Sequence, residues 1–225
     1  MGCSSGPDII QDGLVLCLDA ASIRSYPKSG TTWSDLAGAN DGTLNNGPIF
    51  SSDNGGSIEF DGSDDSVSIV DSQSVRVSEG TLSVWVYPNS FPSTNYTHIV
   101  FKKLTVSPFS SFGIWVKHNT NTIYGGFGGA GHESAGTSAI PTNTWSNLVI
   151  TYDGQYRKMY FNSILDAQVS DVGVTISYDS NPVQLGFGDY NNELDGKISL
   201  ASLYNRALTA DEVRQNYLST KERFA

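Results

Sequence analysis

The chain predicts an all-β fold: an antiparallel β-sandwich of the jelly-roll kind, closed by one short C-terminal helix. Three observations carry this. Roughly a dozen short apolar or alternating segments follow one another at near-regular spacing, with turn residues between them. Asp-Gly dipeptides recur at positions 12, 41, 61, 153 and 195, marking tight turns and no sequence repeat. Near the end, at Thr209, the apolar period switches abruptly from two to helical.

Taken in order, Gly13–Asp19 reads as a strand apolar on both faces, hence central or covered. Thr32–Leu36 leads into a polar loop at 38–42, and Ser57–Phe60 and Ser66–Val70 are short strands around an acidic turn. Thr81–Tyr87 alternates cleanly, with Leu82, Val84 and Val86 on one face and Ser83, Trp85 and Tyr87 on the other, until Pro88. Strands follow at His98–Lys102, Phe112–Lys117 and Thr122–Phe127. Gly125–Gly131 reads as a mobile glycine-rich loop. Trp145–Tyr152 and Arg157–Phe161 form a hairpin about Asp153-Gly154, followed by strands at Ile164–Val169 and Val183–Phe187. In the closing stretch Leu194–Tyr217, Ile198, Leu200 and the pair Leu203/Tyr204 give the last strand. Thr209 with Glu212 three residues on makes a capping box, and Leu208 and Val213 are placed as its hydrophobic staple.

At 225 residues the chain can bury a full core as one sandwich domain, assigned to 13–225, after a flexible arm at 1–12. A formal charge of −10 with scattered Lys and Arg argues against nucleic acid and anionic membranes, since phosphate binding needs clustered cations. No apolar run approaches the ~20 residues of a membrane span. The N-terminus has neither the basic nor the apolar region of a secretory leader, and Gly6 stands where an acylation signal wants Ser or Thr. Cys3 and Cys17 could pair, although Cys17 lies in the apolar run 14–18, where a buried thiol is the commoner state.

The strand-corner-helix cassette at 194–217 resembles the closing segment of LamG-like jelly-roll domains of the concanavalin A-like lectin/glucanase superfamily. Asp35–Leu44, Phe60–Val67, Thr81–Pro88 and Trp145–Gly154 are similar to four further landmarks of that family, in the family's order. Gly13–Asp19 with Trp33–Leu36 looks most like copies carried on tailed-bacteriophage virion proteins. The resemblance implies a recognition or adhesion module on a virion surface or outside the cell, the alternative being a purely structural virion component such as a capsid-decorating protein without a ligand. Expected partners are other virion proteins, host surface glycans or further copies of the chain.

No catalytic residues are expected, and the chain reads as no enzyme. A glucanase of this superfamily needs a strand carrying Glu-x-Asp-x-(x)-Glu; Glu59-Phe-Asp61 and Glu193-Leu-Asp195 both lack the second Glu. His98, His118 and His132 show no metal-ligand spacing and read as exposed or strand-edge residues. Family members often carry a structural Ca²⁺. Asp19, Asp41 and Asp195 could converge on one if the terminal strands are neighbours, the alternative being that each caps its own turn. For a glycan, Trp115, Tyr124 and Phe127 on neighbouring segments are the candidate aromatic platform, against the competing use of aromatics in core packing.

Overall fold

A computed structural model describes residues 8–91, 96–187 and 192–224. In chain order its strands are β1 (Leu14–Asp19), β2 (Thr32–Trp33), β3 (Gly42–Asn45), β4 (Ile49–Ser51), β5 (Ser57–Asp61) and β6 (Ser66–Ile69). Next come β7 (Gly80–Pro88), β8 (Tyr96–Lys103), β9 (Ser110–Lys117), β10 (Thr122–Phe127) and β11 (Glu133–Ala139). The last are β12 (Ser146–Tyr152), β13 (Tyr156–Phe161), β14 (Ile164–Ser170), β15 (Val183–Leu185) and β16 (Asp195–Tyr204), before helix α1 (Ala210–Thr220).

These strands form two antiparallel sheets. The first runs β14-β13-β12-β7-β16-β5-β4, and β1 shares the β5 side of the long strand β16, pairing with its C-terminal half. The second runs β11-β10-β9-β8-β15-β6-β3-β2. The inner faces meet in one core, to which β7 contributes Leu82, Val84 and Val86, and β9 contributes Phe112, Ile114 and Val116. The predicted sandwich is therefore the observed fold.

The first sheet's outer face is covered as well. Trp85, Trp145, Cys17 and Leu200 form an apolar cluster there, with Tyr217 and Phe224 packed on it. Cys17 is a buried free thiol, its pKa pushed up to about 12, chiefly by burial. Cys3 lies outside the described residues. Helix α1 is docked by the predicted device: the Glu212 amide donates to Thr209 Oγ1 at 3.3 Å and the Thr209 amide to Glu212 Oε2 at 2.8 Å. Leu208 and Val213 are buried together against Tyr204.

Two expectations change. The described part of the arm, residues 8–12, lies along α1: the Ile10 amide donates to Asn216 Oδ1 at 2.8 Å and Gln215 Nε2 donates to the Asp8 carbonyl. Ile9 and Ile10 pack on the outer clusters, so apolar burial holds them. Gly125 and Gly126, which fell in both the expected strand Thr122–Phe127 and the expected glycine-rich loop, belong to the strand β10, because they are paired on both sides, with β9 and β11. Strand β11 had no sequence signal, being an edge strand of small and polar residues.

A buried cation pins the connection between β14 and β15. Lys102 is fully buried, and its ammonium meets Asp71 Oδ1 at 2.8 Å and the carbonyls of Asp179 and Asn181. Its three donors are thus all used, as a buried charge requires.

Candidate functional site

The second sheet's outer face carries a hollow of about 510 Å³ over β8, β9 and β10, walled by β11 and the β8–β9 turn. Register builds its floor. Trp115 stands directly opposite His98 on β8 and opposite Tyr124 on β10. The rings follow, with Trp115 and Tyr124 centroids 6.3 Å apart at 74°, His98 and Trp115 at 5.6 Å, and Tyr96 and Tyr124 at 4.9 Å. A β-bulge between His98 and Val100 adds one residue, so His98 and Phe101, three apart in sequence, face the same side. Their rings lie 4.7 Å apart.

Glycines let the indole lie close to the sheet. A Cβ on Gly113 would come within 2.9 Å of the Trp115 ring, and one on Gly125 within 2.6 Å. Any larger residue at either place would lift the ring from the floor.

Polar groups complete the hollow. Glu133 on β11 has its carboxyl pKa raised by burial, and the Ser110 hydroxyl donates to its Oε1 at 3.4 Å. The Tyr124 hydroxyl is pushed up to about 12, first by burial and then by the neighbouring Glu133 carboxylate and Tyr96. Like any protonated phenol it can donate as well as accept, and it stands beside a carboxyl acceptor. Aromatic faces with a few convergent polar atoms can hold a ring that is apolar on its faces and hydroxylated at its edge.

Trp115 and Tyr124, two of the three expected platform residues, meet here. Phe127 does not: it is 1 % exposed, in the core against Phe112 (5.7 Å) and Tyr152 (6.2 Å). Being three residues from Tyr124 on one regular strand, it faces the other way. His98, expected to be exposed or at a strand edge, lines the hollow. His132 is paired instead with Asp171, at 2.7 Å. Glu133, Tyr96 and Phe101 were missed. Their grouping depends on non-local register and a bulge, and the one local hint was Gly113-x-Trp115.

The expected calcium trio does not assemble. Asp19 is held by both terminal nitrogens of Arg223, at 2.9 and 3.1 Å. Asp41 accepts the Asp35 amide, and Asp195 accepts Asn89 Nδ2 and the Ser90 hydroxyl. Among the described residues, one group of three carboxylates has ligand atoms within 4.8 Å of one another: Asp61, Asp64 and Asp65, at the β5–β6 turn. The Asp65 pKa is raised by burial first, then by Asp61 and Asp64, while the Asp61 amide donates to its Oδ2.

The half-matches to a hydrolase motif lie on the other sheet. Asp195 stands opposite Asp61 and Lys197 opposite Glu59. Lys197 Nζ is 3.6 Å from the Glu59 carboxylate.

Comparison with known proteins follows the same line. No curated protein sequence matches the chain. Among solved structures, Trypanosoma rangeli sialidase with the inhibitor DANA superposes with a TM-score of 0.71 at 17 % identity, covering 96 % of this chain and 34 % of the sialidase. This chain thus spans about a third of the sialidase chains it matches. Domain 4 of AbnA, a GH43 extracellular arabinanase from Geobacillus stearothermophilus, in complex with arabinotriose, gives 0.71 at 17 % identity over 91 % of this chain and 98 % of that one. The binding domain of Paraclostridial Mosquitocidal Protein 1 gives 0.71 at 16 %, over 92 % and 52 %. At these identities the likeness is one of fold. The laminin G family model matches residues 61–214, and the chain belongs to the concanavalin A-like lectin/glucanases superfamily.

Proposed function

We propose that the domain is a non-catalytic saccharide-binding module displayed on a virion or cell surface. The hollow over Trp115 and Tyr124 carries this reading: a preformed aromatic floor with the Tyr124 hydroxyl and the Glu133 carboxyl at its edge. A sugar ring offers what such a site accepts, C–H groups to the rings and hydroxyls to the polar atoms. The AbnA domain, of similar size and fold, is in complex with arabinotriose, which supports the class of ligand.

Two observations support binding over hydrolysis. Glu133 is the one carboxylate among the described residues lining the hollow, and two-carboxylate glycoside hydrolysis needs a facing pair. Glu59, Asp61 and Asp195 sit on the opposite sheet, paired across strands. Host surface glycans are the partners in this reading. Other virion proteins or further copies of the chain would hold the module in place, as the bacteriophage resemblance of the N-terminal stretch suggests.

Calcium is a separate, structural proposal. The residues that fit it are Asp61, Asp64 and Asp65, whose oxygens suit a hard cation. Calcium there would fasten the β5–β6 turn. Melting with and without Ca²⁺ tests it. A rise in Tm that disappears in Asp64→Asn supports the site, and an unchanged Tm removes it.

A glycan array followed by titration calorimetry tests the main proposal. Wild type should bind at least one saccharide, and Trp115→Ala should abolish that binding while remaining folded by circular dichroism. A wild type silent across the array overturns it.

A further inference from the structure

At the mouth of the hollow stands Phe109, 63 % exposed, with φ at +68°. That left-handed backbone region suits glycine, and a bulky side chain there is an outlier that needs a reason. The conformation is fixed from several sides. The Phe109 amide donates to the Val106 carbonyl at 2.9 Å, its own carbonyl accepts the Leu104 amide at 2.8 Å, and the Pro108 carbonyl accepts the Ala130 amide at 2.9 Å. The backbone that carries the exposed ring at the rim of the hollow is therefore fixed by a tight turn braced against the β10–β11 loop. Neither burial nor backbone preference favours phenylalanine at this position. Glycine would fill it without strain.

We infer that Phe109 is a second stacking platform, and that the ligand is an oligosaccharide of at least two units, one on the Trp115–Tyr124 floor and the next against Phe109. This rests on the saccharide reading above. A monosaccharide resting on the floor would leave the rim ring without a partner, whereas a chain leaving the hollow passes it. A hollow of about 510 Å³ lies within the ~300–1,000 Å³ of pockets that enclose ligands larger than a single small ring.

Calorimetry with arabino-, xylo- and gluco-oligosaccharides, each from monosaccharide to tetrasaccharide, tests this together with the array hits. Wild type should bind the disaccharide or trisaccharide about tenfold more tightly than the monosaccharide, the size of one aromatic contact. Phe109→Ala should lose that gain and keep the monosaccharide affinity. Phe109→Gly should lose the same binding with Tm equal to or above wild type, because glycine relieves the left-handed backbone. A merely structural role would instead lower Tm and affect all ligand lengths alike. Unchanged trisaccharide affinity in Phe109→Ala, or no dependence on length in wild type, overturns the inference and leaves the saccharide site standing. Wild type binding no saccharide at all brings down both.

Discussion

The Asp166 carboxylate on β14 accepts the backbone N–H of Thr137 on β11 at 2.8 Å and the Thr137 hydroxyl at 2.8 Å. It also accepts the Ser138 amide, at 2.9 Å. Strand β14 ends one sheet and β11 ends the other, so one side chain ties two free edges together. Gly136 allows the approach, since a Cβ there would meet Asp166 Oδ2 at 2.0 Å. Burial opposes ionisation of Asp166, but these hydrogen bonds outweigh it and its pKa is lowered.

Asp166→Ala should therefore cost ~0.5–1.5 kcal/mol of stability, the net worth of a hydrogen bond whose groups water can reach once the partner is gone. Urea denaturation reads this directly. The bared β11 edge should also promote self-association, visible by light scattering. Equal stability and scattering in the two proteins would count against the edge tie.

The core position of Phe127 predicts the opposite of a binding role. Phe127→Ala should destabilise by ~3–5 kcal/mol through the cavity left between Phe112 and Tyr152. At temperatures where the variant stays folded, saccharide affinity should stay near wild type. Loss of binding without loss of stability would return Phe127 to the site.

Helix docking carries an acid dependence. The Arg206 guanidinium, at 2.7 Å, holds the Glu212 carboxyl at about 2, below its ordinary 4.5. A carboxyl with a depressed folded pKa contributes stability above the unfolded value, and that contribution is lost as pH falls from 4.5 to 2. Glu212→Gln should thus lower Tm at neutral pH and flatten its fall in that window. Thr209→Ala should cost ~1 kcal/mol at neutral pH for the lost cap.

Glu133 carries the reverse sign. Its folded pKa is raised by burial, so its favourable contribution is present in acid and is lost as pH rises through the folded value. Glu133→Gln should raise Tm at neutral pH, with the gain vanishing below the ordinary carboxylate range. A neutral-pH Tm equal to or below wild type would refute the burial argument.

What the sequence by itself determined is what local physics can fix. Alternation at Leu82–Tyr87 assigns faces, because side chains on a strand point alternately up and down. Thr209 and Glu212 cap a helix by contacts three residues apart. The order of such segments sufficed for the sandwich and its family. Only the tertiary structure decided the site, because the site is made of register. Trp115, Tyr124 and His98 meet through cross-strand pairing, and a bulge brings Phe101 to their face. Asp19, Asp41 and Asp195 look equally available as ligands in one dimension. In three, Arg223, the Asp35 amide, and Asn89 with Ser90 already occupy them. Phe127 lay within reach of sequence logic, since an odd separation from Tyr124 puts it on the other face of a strand. Gly125 and Gly126 stand between the two, and pairing on both sides keeps so flexible a stretch in the sheet.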